Sequence, residues 1–358
     1  MSTNRNLNRA KAAKNDEFYT MYEDVQAELS AYAHLFRGKS VMCPCDRFES
    51  AFTRYFLDNR HTLGLTRFTA TYYAPNTTRG NLLTVSAGDH APVIETLYGD
   101  GDFRSAHVSA LMMEHDVVCT NPPFSLFREF VDWLIIHGKE FVIIGNINAL
   151  TCKNVFGYIQ AGRLWTGTRR PKKFVQPDGS LSPNMAGLAC WFTNMPVPKL
   201  LEPIELRCKY TPEMYPRYDN YNAINVSRLR DIPVDYPGVM GVPITYLTVH
   251  CPAQFEIVGT QRWFYNPELC VWRDENGVGT TRNKIVLGGK ELYDRVFVRH
   301  LNPEPAQFEV IGVSENSGKG LSGGLWRKTS GVAQPLVKGH RLYARVFIRH
   351  LNPEPAQP

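Results

Sequence analysis

The chain has 358 residues, 43% of them hydrophobic and 21% charged, with 17 Tyr, 19 Phe and 6 Trp; this supports one large or two ordinary cores and excludes a disordered or fibrous chain. It contains no apolar run of about 18 residues that could span a membrane, and its start, MSTNRNLNRAKAAK, lacks the apolar centre of a signal peptide, so the expected compartment is the cytoplasm. Lys and Arg exceed Asp and Glu by 40 to 34, a formal +6 that permits a polyanionic partner without demanding one.

Residues 1–15 hold Arg5, Arg9, Lys11 and Lys14 and no acid, which reads as a basic arm leading into a helix near 21–35. Ser40 to Cys43 forms a short strand pattern, stopped by Pro44, Cys45 and Asp46 and followed by a helical pattern over 48–58. A second strand covers Arg67 to Tyr73, a polar loop or hairpin follows at 75–90, and a strand from Val93 to Leu97 runs into Gly99-Asp100-Gly101-Asp102-Phe103. Asp116 to Thr120 is a compact strand signal, stopped by Asn121-Pro122-Pro123. The helix expected over 125–136 places Phe127, Phe130, Val131, Leu134 and Ile135 on one face. Phe141 to Ile144 has the wholly apolar character of a buried parallel strand. This strand–helix rhythm predicts an α/β core over residues 38–160. Ligands of such sheets bind beyond the carboxyl ends of the strands, so the segments starting at Cys45, Gly99 and Asn121 should meet at one edge.

From residue 161 the texture changes. Arg163, Arg169, Arg170, Lys172 and Lys173 form a basic run, and short β segments are expected at 188–193, 204–210 and 241–247. The last third contains a repeat: ELYDRVFVRHLNPEPAQ at 291–307 returns as RLYARVFIRHLNPEPAQ at 341–357, identical at 14 of 17 positions. Each unit opens on PAQFE, at Pro252 and again at Pro305, and passes through a dissimilar middle before its closing strand. Alternation in that strand places Arg295 and Arg299, and Arg345 and Arg349, where they could face phosphates. The eight cysteines include no CxxC pair and no His at zinc-site spacing, so reduced thiols are expected and no metal site.

Asn121-Pro122-Pro123-Phe124 is the sharpest chemical signal. An exocyclic amine conjugated to a purine ring is a poor nucleophile, because its lone pair is spread into the ring. The Asn side-chain oxygen and a neighbouring main-chain carbonyl can accept its two hydrogens and turn that lone pair toward an electrophilic methyl. The prolines stiffen the loop, and the Phe can stack on a base.

Three segments then carry a resemblance. Lys14-Asn15-Asp16-Glu17-Phe18-Tyr19-Thr20, the run from Gly99-Asp100-Gly101-Asp102-Phe103 to DVVCTNPPFSLF (116–127), and Tyr218 to Val226 followed by Pro237 to Thr245 are similar to segments of the adenine-specific DNA methyltransferase family that includes the EcoRI modification methylase. The match covers roughly residues 8–260. It implies a Rossmann-like, S-adenosylmethionine-dependent methyltransferase sheet with a β-rich C-terminal DNA-recognition region, and site-specific methylation of adenine N6 in flipped-out bases of double-stranded DNA. It also implies Asn121, Pro122, Pro123 and Phe124 as catalytic residues. Asp16, Phe18, Tyr19, Thr20, Cys45, Asp46, Asp100, Asp102 and Phe103 would form the cofactor site, and Asn146 and Asn148 would belong to the target-base pocket. The expected organisation is a basic arm and cofactor-closing segment (1–37), a catalytic core (38–160), a basic DNA-contact region that could lend strands to the core (161–250) and a duplicated recognition or clamping module (251–358). A monomer is expected, beside a cognate restriction endonuclease that acts on the same site without a stable complex.

The sequence departs from the broad methyltransferase pattern in having Cys-Pro-Cys-Asp where FxGxG is usual, and no acid after the second strand, where Thr71-Tyr72-Tyr73 stand. Asp46 or Asp100 is left to hold the cofactor ribose. Plainer readings stay open: Asp46 as a helix cap, Asp100 and Asp102 as turn residues, Phe103 as core, the basic run as a solvated face, and 145–148 as a strand-end turn. RNA adenine methylation and non-catalytic DNA binding are the alternative functions.

Overall fold

The computed structural model describes residues 19–74, 79–175, 187–219, 221–260, 285–293 and 295–303, together with the backbone of strand segments between 308 and 350. The chain forms two compact units. The first comprises residues 1–204 and 244–252, and the second comprises 205–243 and 253–358.

In the first unit, β1 (Tyr19–Thr20) leads into α1 (Tyr22–Leu29) and a 3-10 turn, Ser30–Leu35, so the helix expected near 21–35 is half α and half 3-10. β2 (Ser40–Cys43), α2 (Ala51–Leu63) and β3 (Arg67–Thr71) follow. α2 starts at Ala51, later than the pattern suggested, because Ser50 caps it by accepting from Thr53 N at 3.1 Å. The polar stretch after β3 is a hairpin of β4 (Arg79–Ser86) and β5 (Val93–Tyr98). Next come α3 (Ala106–Glu114), β6 (Val117–Thr120), α4 (Phe127–Ile136), β7 (Glu140–Asn146), α5 (Lys153–Gln160), β8 (Trp165–Thr166), β9 (Phe174–Val175) and β10 (Ala189–Thr193). Eight strands form one sheet in the order β5-β4-β3-β2-β6-β7-β10-β8. The centre, β3-β2-β6-β7, is parallel, and antiparallel strands flank it on both sides. Every residue of β2 and β6 is buried, as a strand covered on both faces requires. β8 and β10, which come after residue 160, are integral to this sheet.

Strand direction decides where the motifs go. β2, β3, β5, β6, β7 and β8 all run the same way, so Cys45-Asp46, Gly99 to Phe103, Asn121 to Phe124, Asn146 and the loop after Thr166 leave from one edge. β1 pairs with β9, Tyr19 opposite Val175 and Thr20 opposite Phe174. The segment that enters α1 therefore shares a ladder with the end of the basic run.

The second unit holds a four-stranded sheet, β11 (Ile224–Asn225), β12 (Val239–Pro243), β16 and β13 in that order, with β13 spanning Phe255–Thr260. β14 (Ile285–Leu287) and β15 (Lys290–Leu292) form a hairpin before β16 (Arg295–His300). The remaining strands are β17 (Phe308–Val313), β18 (Leu336–Val337), β19 (His340–Arg341) and β20 (Val346–His350). The strand expected over 204–210 does not form: one isolated bridge joins Cys208 to Pro233, and Tyr210 N donates instead to Asp235 Oδ1 at 2.7 Å. The strand expected over 241–247 is shifted to Val239–Pro243 and passes into a 3-10 turn, Ile244–Thr248, since Pro243 offers no ladder N–H.

The repeat is conformational as well as sequential. β13 pairs with β16 from Phe255↔His300 to Thr260↔Val296, with a bulge between Ile257 and Gly259. β17 pairs with β20 from Phe308↔His350 to Val313↔Val346, with its bulge at the corresponding point, between Val310 and Gly312. Val286↔Glu291 and Leu287↔Lys290 in the first hairpin become Leu336↔Arg341 and Val337↔His340 in the second.

Candidate active site

At the centre of the shared edge stands Asp46, only 5% exposed. Its Oδ2 accepts from Thr120 Oγ1 at 2.5 Å and from Asn121 N at 3.2 Å. Thr120 Oγ1 in turn accepts from Cys45 N at 3.1 Å. Asp46 N donates to Thr71 O at 3.0 Å, and Thr71 Oγ1 donates to Pro44 O at 3.1 Å. The turn after β2 is therefore bonded to the ends of β3 and β6, and Asp46 holds the first residue of Asn121-Pro122-Pro123-Phe124 by its backbone. That role differs from a cap of α2, which Ser50 supplies. Burial pushes the Asp46 carboxyl up to about 6, against the opposing hydrogen bonds from Thr120, Asn121 and Ser50.

In the Asn-Pro-Pro-Phe loop Pro122 is buried and Asn121, Pro123 and Phe124 are half-buried. Leu126 N closes the turn on Pro123 O at 2.9 Å, and the Phe124 ring packs on the main apolar cluster. Asn146, at the end of the neighbouring strand β7, uses its Oδ1 to accept from Asn148 N at 2.9 Å; Asn148 is exposed.

The Gly99 to Phe103 loop folds onto the end of β3. Ala74 N donates to Asp100 O at 2.7 Å, and Gly101 has φ +83 and lies so close to Tyr72 O that a Cβ would collide with it. This brings a carboxylate-bearing loop to the strand end where the sequence has no acid. Asp100 Oδ1 accepts from Asp102 N at 3.1 Å. Asp102 is engaged with Arg104, which donates from Nε at 2.9 Å and from Nη2 at 2.5 Å, and this partner holds the Asp102 carboxyl below its ordinary range. Phe103 is 3% exposed and meets Phe130 edge to face at 4.8 Å, so its ring is core packing.

The basic run is shaped by two acids of α1. Glu28 is fully buried: Oε1 accepts from Tyr32 Oη and Thr168 N, both at 2.7 Å, and Oε2 accepts from Thr168 Oγ1 and Arg169 N, both at 2.8 Å. A Cβ on Gly167 would strike this carboxylate and Trp191, so only glycine admits the approach. One turn earlier, Asp24 Oδ2 accepts from Lys172 N at 2.7 Å and Lys173 N at 3.2 Å. With their backbones tied down in this way, Arg169, Arg170, Lys172 and Lys173 present exposed side chains. Arg163, also exposed, donates to Ile135 O at 3.2 Å and lies over Tyr158. Asp24, Glu28, Thr120 and Gly167 were not identified from sequence; the available signal was an acid, Glu28, inside the apolar stripe Val25–Leu29–Tyr32.

Other expected residues lie elsewhere or outside the described part. Arg299 is half-buried beside Glu256, 3.6 Å away, and Arg295 is half-buried near Tyr218. Arg349 stands opposite Glu309 in the register. Asp16, Phe18 and Arg345 fall outside the described residues. Thr20 Oγ1 is buried without a hydrogen-bond partner among the described residues.

A central parallel sheet that delivers Asn-Pro-Pro-Phe from the strand beside a buried-acid turn is consistent with the core of an α/β methyltransferase acting on an amino group. The comparisons with known proteins fix which one. The family model described as adenine-specific methyltransferase EcoRI matches residues 6–351, and the chain belongs to this family. It is 38% identical over 338 residues to the type II methyltransferase M.EcoRI of Escherichia coli, covering 84% of this chain and 97% of that protein. Identity to M.MpnI of Mycoplasma pneumoniae is 36% over 273 residues (70% and 84% of the two chains). For M.MgeORF184P of Mycoplasma genitalium it is 33% over 274 residues (70% and 85%). No solved structure matches. The chain is a site-specific adenine N6 DNA methyltransferase of the S-adenosylmethionine-dependent class. Among the described residues, no helix is long and apolar enough to cross a membrane.

Two predictions follow from the buried acids. Because the Asp46 pKa is raised in the folded state, its stabilising contribution is complete below about pH 4 and is lost as pH rises through about 6, leaving a cost on the order of 3 kcal/mol at neutral pH. Asp46→Asn should therefore raise the urea-unfolding free energy at pH 8 and flatten its pH dependence between 4 and 7; an unchanged pH profile would contradict a buried ionised carboxylate. Glu28→Ala strips the acceptors from Thr168 and Arg169 and should lower stability by about 3 kcal/mol, with faster proteolysis within 167–173 than elsewhere in the first unit.

Proposed function

We propose that the shared strand edge holds S-adenosylmethionine beside the Asn-Pro-Pro-Phe loop, and that a flipped-out adenine is seated there from double-stranded DNA. The observation that carries this reading is the Asp46–Thr120–Asn121 network, which fixes the loop where four parallel strands end. The donor set suits the cofactor: Asp46 and Asp100 are carboxylates able to accept from ribose hydroxyls or an ammonium, and the buried Thr20 hydroxyl is able to donate to a carboxylate. Asp102 takes the adenine amino group only by sharing or releasing Arg104. Tyr19 and Cys45 border the same region, while Phe103 contributes by fixing the loop. When bound, the cofactor supplies an electrophilic sulfonium methyl.

The remaining work belongs to the chain. Asn121 Oδ1 and the adjacent main-chain carbonyl accept the two N6 hydrogens, which localises the nitrogen lone pair and aims it along the transfer direction. Pro122 and Pro123 keep the carbonyl in place, and Phe124 stacks on the extruded base. Asn146 and Asn148, at the end of β7, border the base pocket. Arg163, Arg169, Arg170, Lys172 and Lys173 hold the phosphates on one side. The C-terminal modules, through Arg295, Arg299, Arg345 and Arg349, serve recognition or clamping. In this reading the enzyme works as a cytoplasmic monomer and protects sites cut by a restriction endonuclease with which it forms no stable complex.

Asn121→Ala should lower kcat by at least about a hundredfold while leaving S-adenosylmethionine affinity, measured by calorimetry, within about threefold. Turnover within that smaller factor would remove Asn121 from the chemistry. Replacing Arg169, Arg170, Lys172 and Lys173 with Gln should weaken all duplexes alike and reduce the slope of log affinity against log salt by roughly 0.9 per lost phosphate contact. An unchanged slope would show that the run faces solvent.

A further inference from the structure

The second unit offers one platform and two modules that fit it. The platform consists of Tyr218, Asp219, Tyr221 and β12, and the first module docks on it through three kinds of contact. β16 pairs with β12 from Val239↔Arg299 to Pro243↔Arg295. Phe297 stacks on Tyr221 at 4.9 Å and meets Tyr218 at 5.9 Å. Asp219 N donates to Val286 O at 2.8 Å, and its carboxylate accepts from Gly288 N at 3.1 Å and Gly289 N at 2.8 Å. Val258 and Ile285 complete the same apolar cluster with Ala223 and Val239.

The second module repeats the docking elements position by position. RVFIRH at 345–350 corresponds to RVFVRH at 295–300, FEVIG at 308–312 to FEIVG at 255–259, and the bulge and hairpin registers are the same. Phe347 thus holds the register position of Phe297, Val346 that of Val296, and Leu336 that of Val286. Among the described residues, β20 has β17 as its ladder neighbour, whereas β16 has both β13 and β12. The copies differ where the hairpin meets the platform: Pro335 stands for Ile285 and Lys338 for Gly288, whose φ is +55. Both changes weaken docking, one by removing an apolar side chain and one by placing a side chain in the left-handed region. They account for the first module being the one seated.

We propose that the two modules compete within one chain for the Tyr218–Tyr221–β12 platform, the second replacing the first in the same register. The exchange needs no new surface, since four of the five residues that β12 meets are duplicated and the fifth, Val298, is replaced by Ile348. Its effect is to substitute SENSGKGLSGGLW and its flanks (314–335) for the stretch 261–284 between the docked strands, while leaving the first unit as it is.

Cross-linking in the full chain tests this. Val239 faces Arg299 in the register, and Arg349 is its counterpart in the second module. Val239→Cys/Arg299→Cys and Val239→Cys/Arg349→Cys are oxidised at low protein concentration and the disulfides mapped by peptide mass spectrometry, which separates them from the native cysteines. The 239–299 link should dominate, and the 239–349 link should form within one chain at about a tenth of its yield or less. Adding Phe297→Ala, or the milder Phe297→Leu, should raise the 239–349 yield by at least about threefold, whereas Phe347→Ala should lower it without changing the 239–299 link. The proposal is overturned if neither Phe297 variant raises the 239–349 yield, if Phe347→Ala leaves it unchanged, or if the link joins two chains.

Discussion

A single buried carboxylate organises the shared strand edge. Asp46 joins the turn after β2 to the end of β6, and through Asn121 N it fixes where the Asn-Pro-Pro-Phe loop begins. The group is costly to bury in ionised form, and a fold selected for stability alone would place a neutral acceptor there. A buried carboxyl with a raised pKa at a strand edge marks a candidate position for a ligand's donors. At Glu28 the buried carboxyl group is satisfied internally, by Tyr32 Oη and by backbone and hydroxyl donors of the loop it shapes.

The two acids divide the labour of the first unit. Asp46 sets the start of the Asn-Pro-Pro-Phe loop, and Glu28 with Asp24 sets the basic loop beyond β8. Both work by accepting from main-chain N–H groups. Asn121 is held by its nitrogen. Arg169 and Lys172 are held by theirs and keep their charges exposed.

Much of this was legible in the sequence, because apolar runs closed by polar turns mark buried parallel strands. Ser40–Cys43, Asp116–Thr120 and Phe141–Ile144 all read that way, and strand order placed the segments starting at Cys45, Gly99 and Asn121 at one edge before any coordinates. The partners of the acids were not legible: Asp46 reaches Thr120 across 74 positions and Glu28 reaches Thr168 across 140, and local periodicity carries no signal over such distances. The failed strand at 204–210 has a different cause. Its alternation is real, but Tyr210 is stacked on Tyr236 at 4.7 Å and on Tyr215 at 5.7 Å, with its N–H given to Asp235, so the end of the segment serves an aromatic stack and not a ladder. Phe103 shows the same limit: an aromatic beside a glycine-acid loop looks like a ligand contact, and in the fold it meets Phe130.

The short ladder between Tyr19–Thr20 and Phe174–Val175 ties the entrance of α1 to the exit of the basic loop. Two segments far apart in sequence therefore surrender conformational freedom together. Whatever orders one of them lowers the entropic cost of ordering the other, with no change of shape needed at either end. Such linkage is reciprocal: whatever free energy the ordering of one segment lends to the other is returned in equal measure, through two residue pairs of β-sheet.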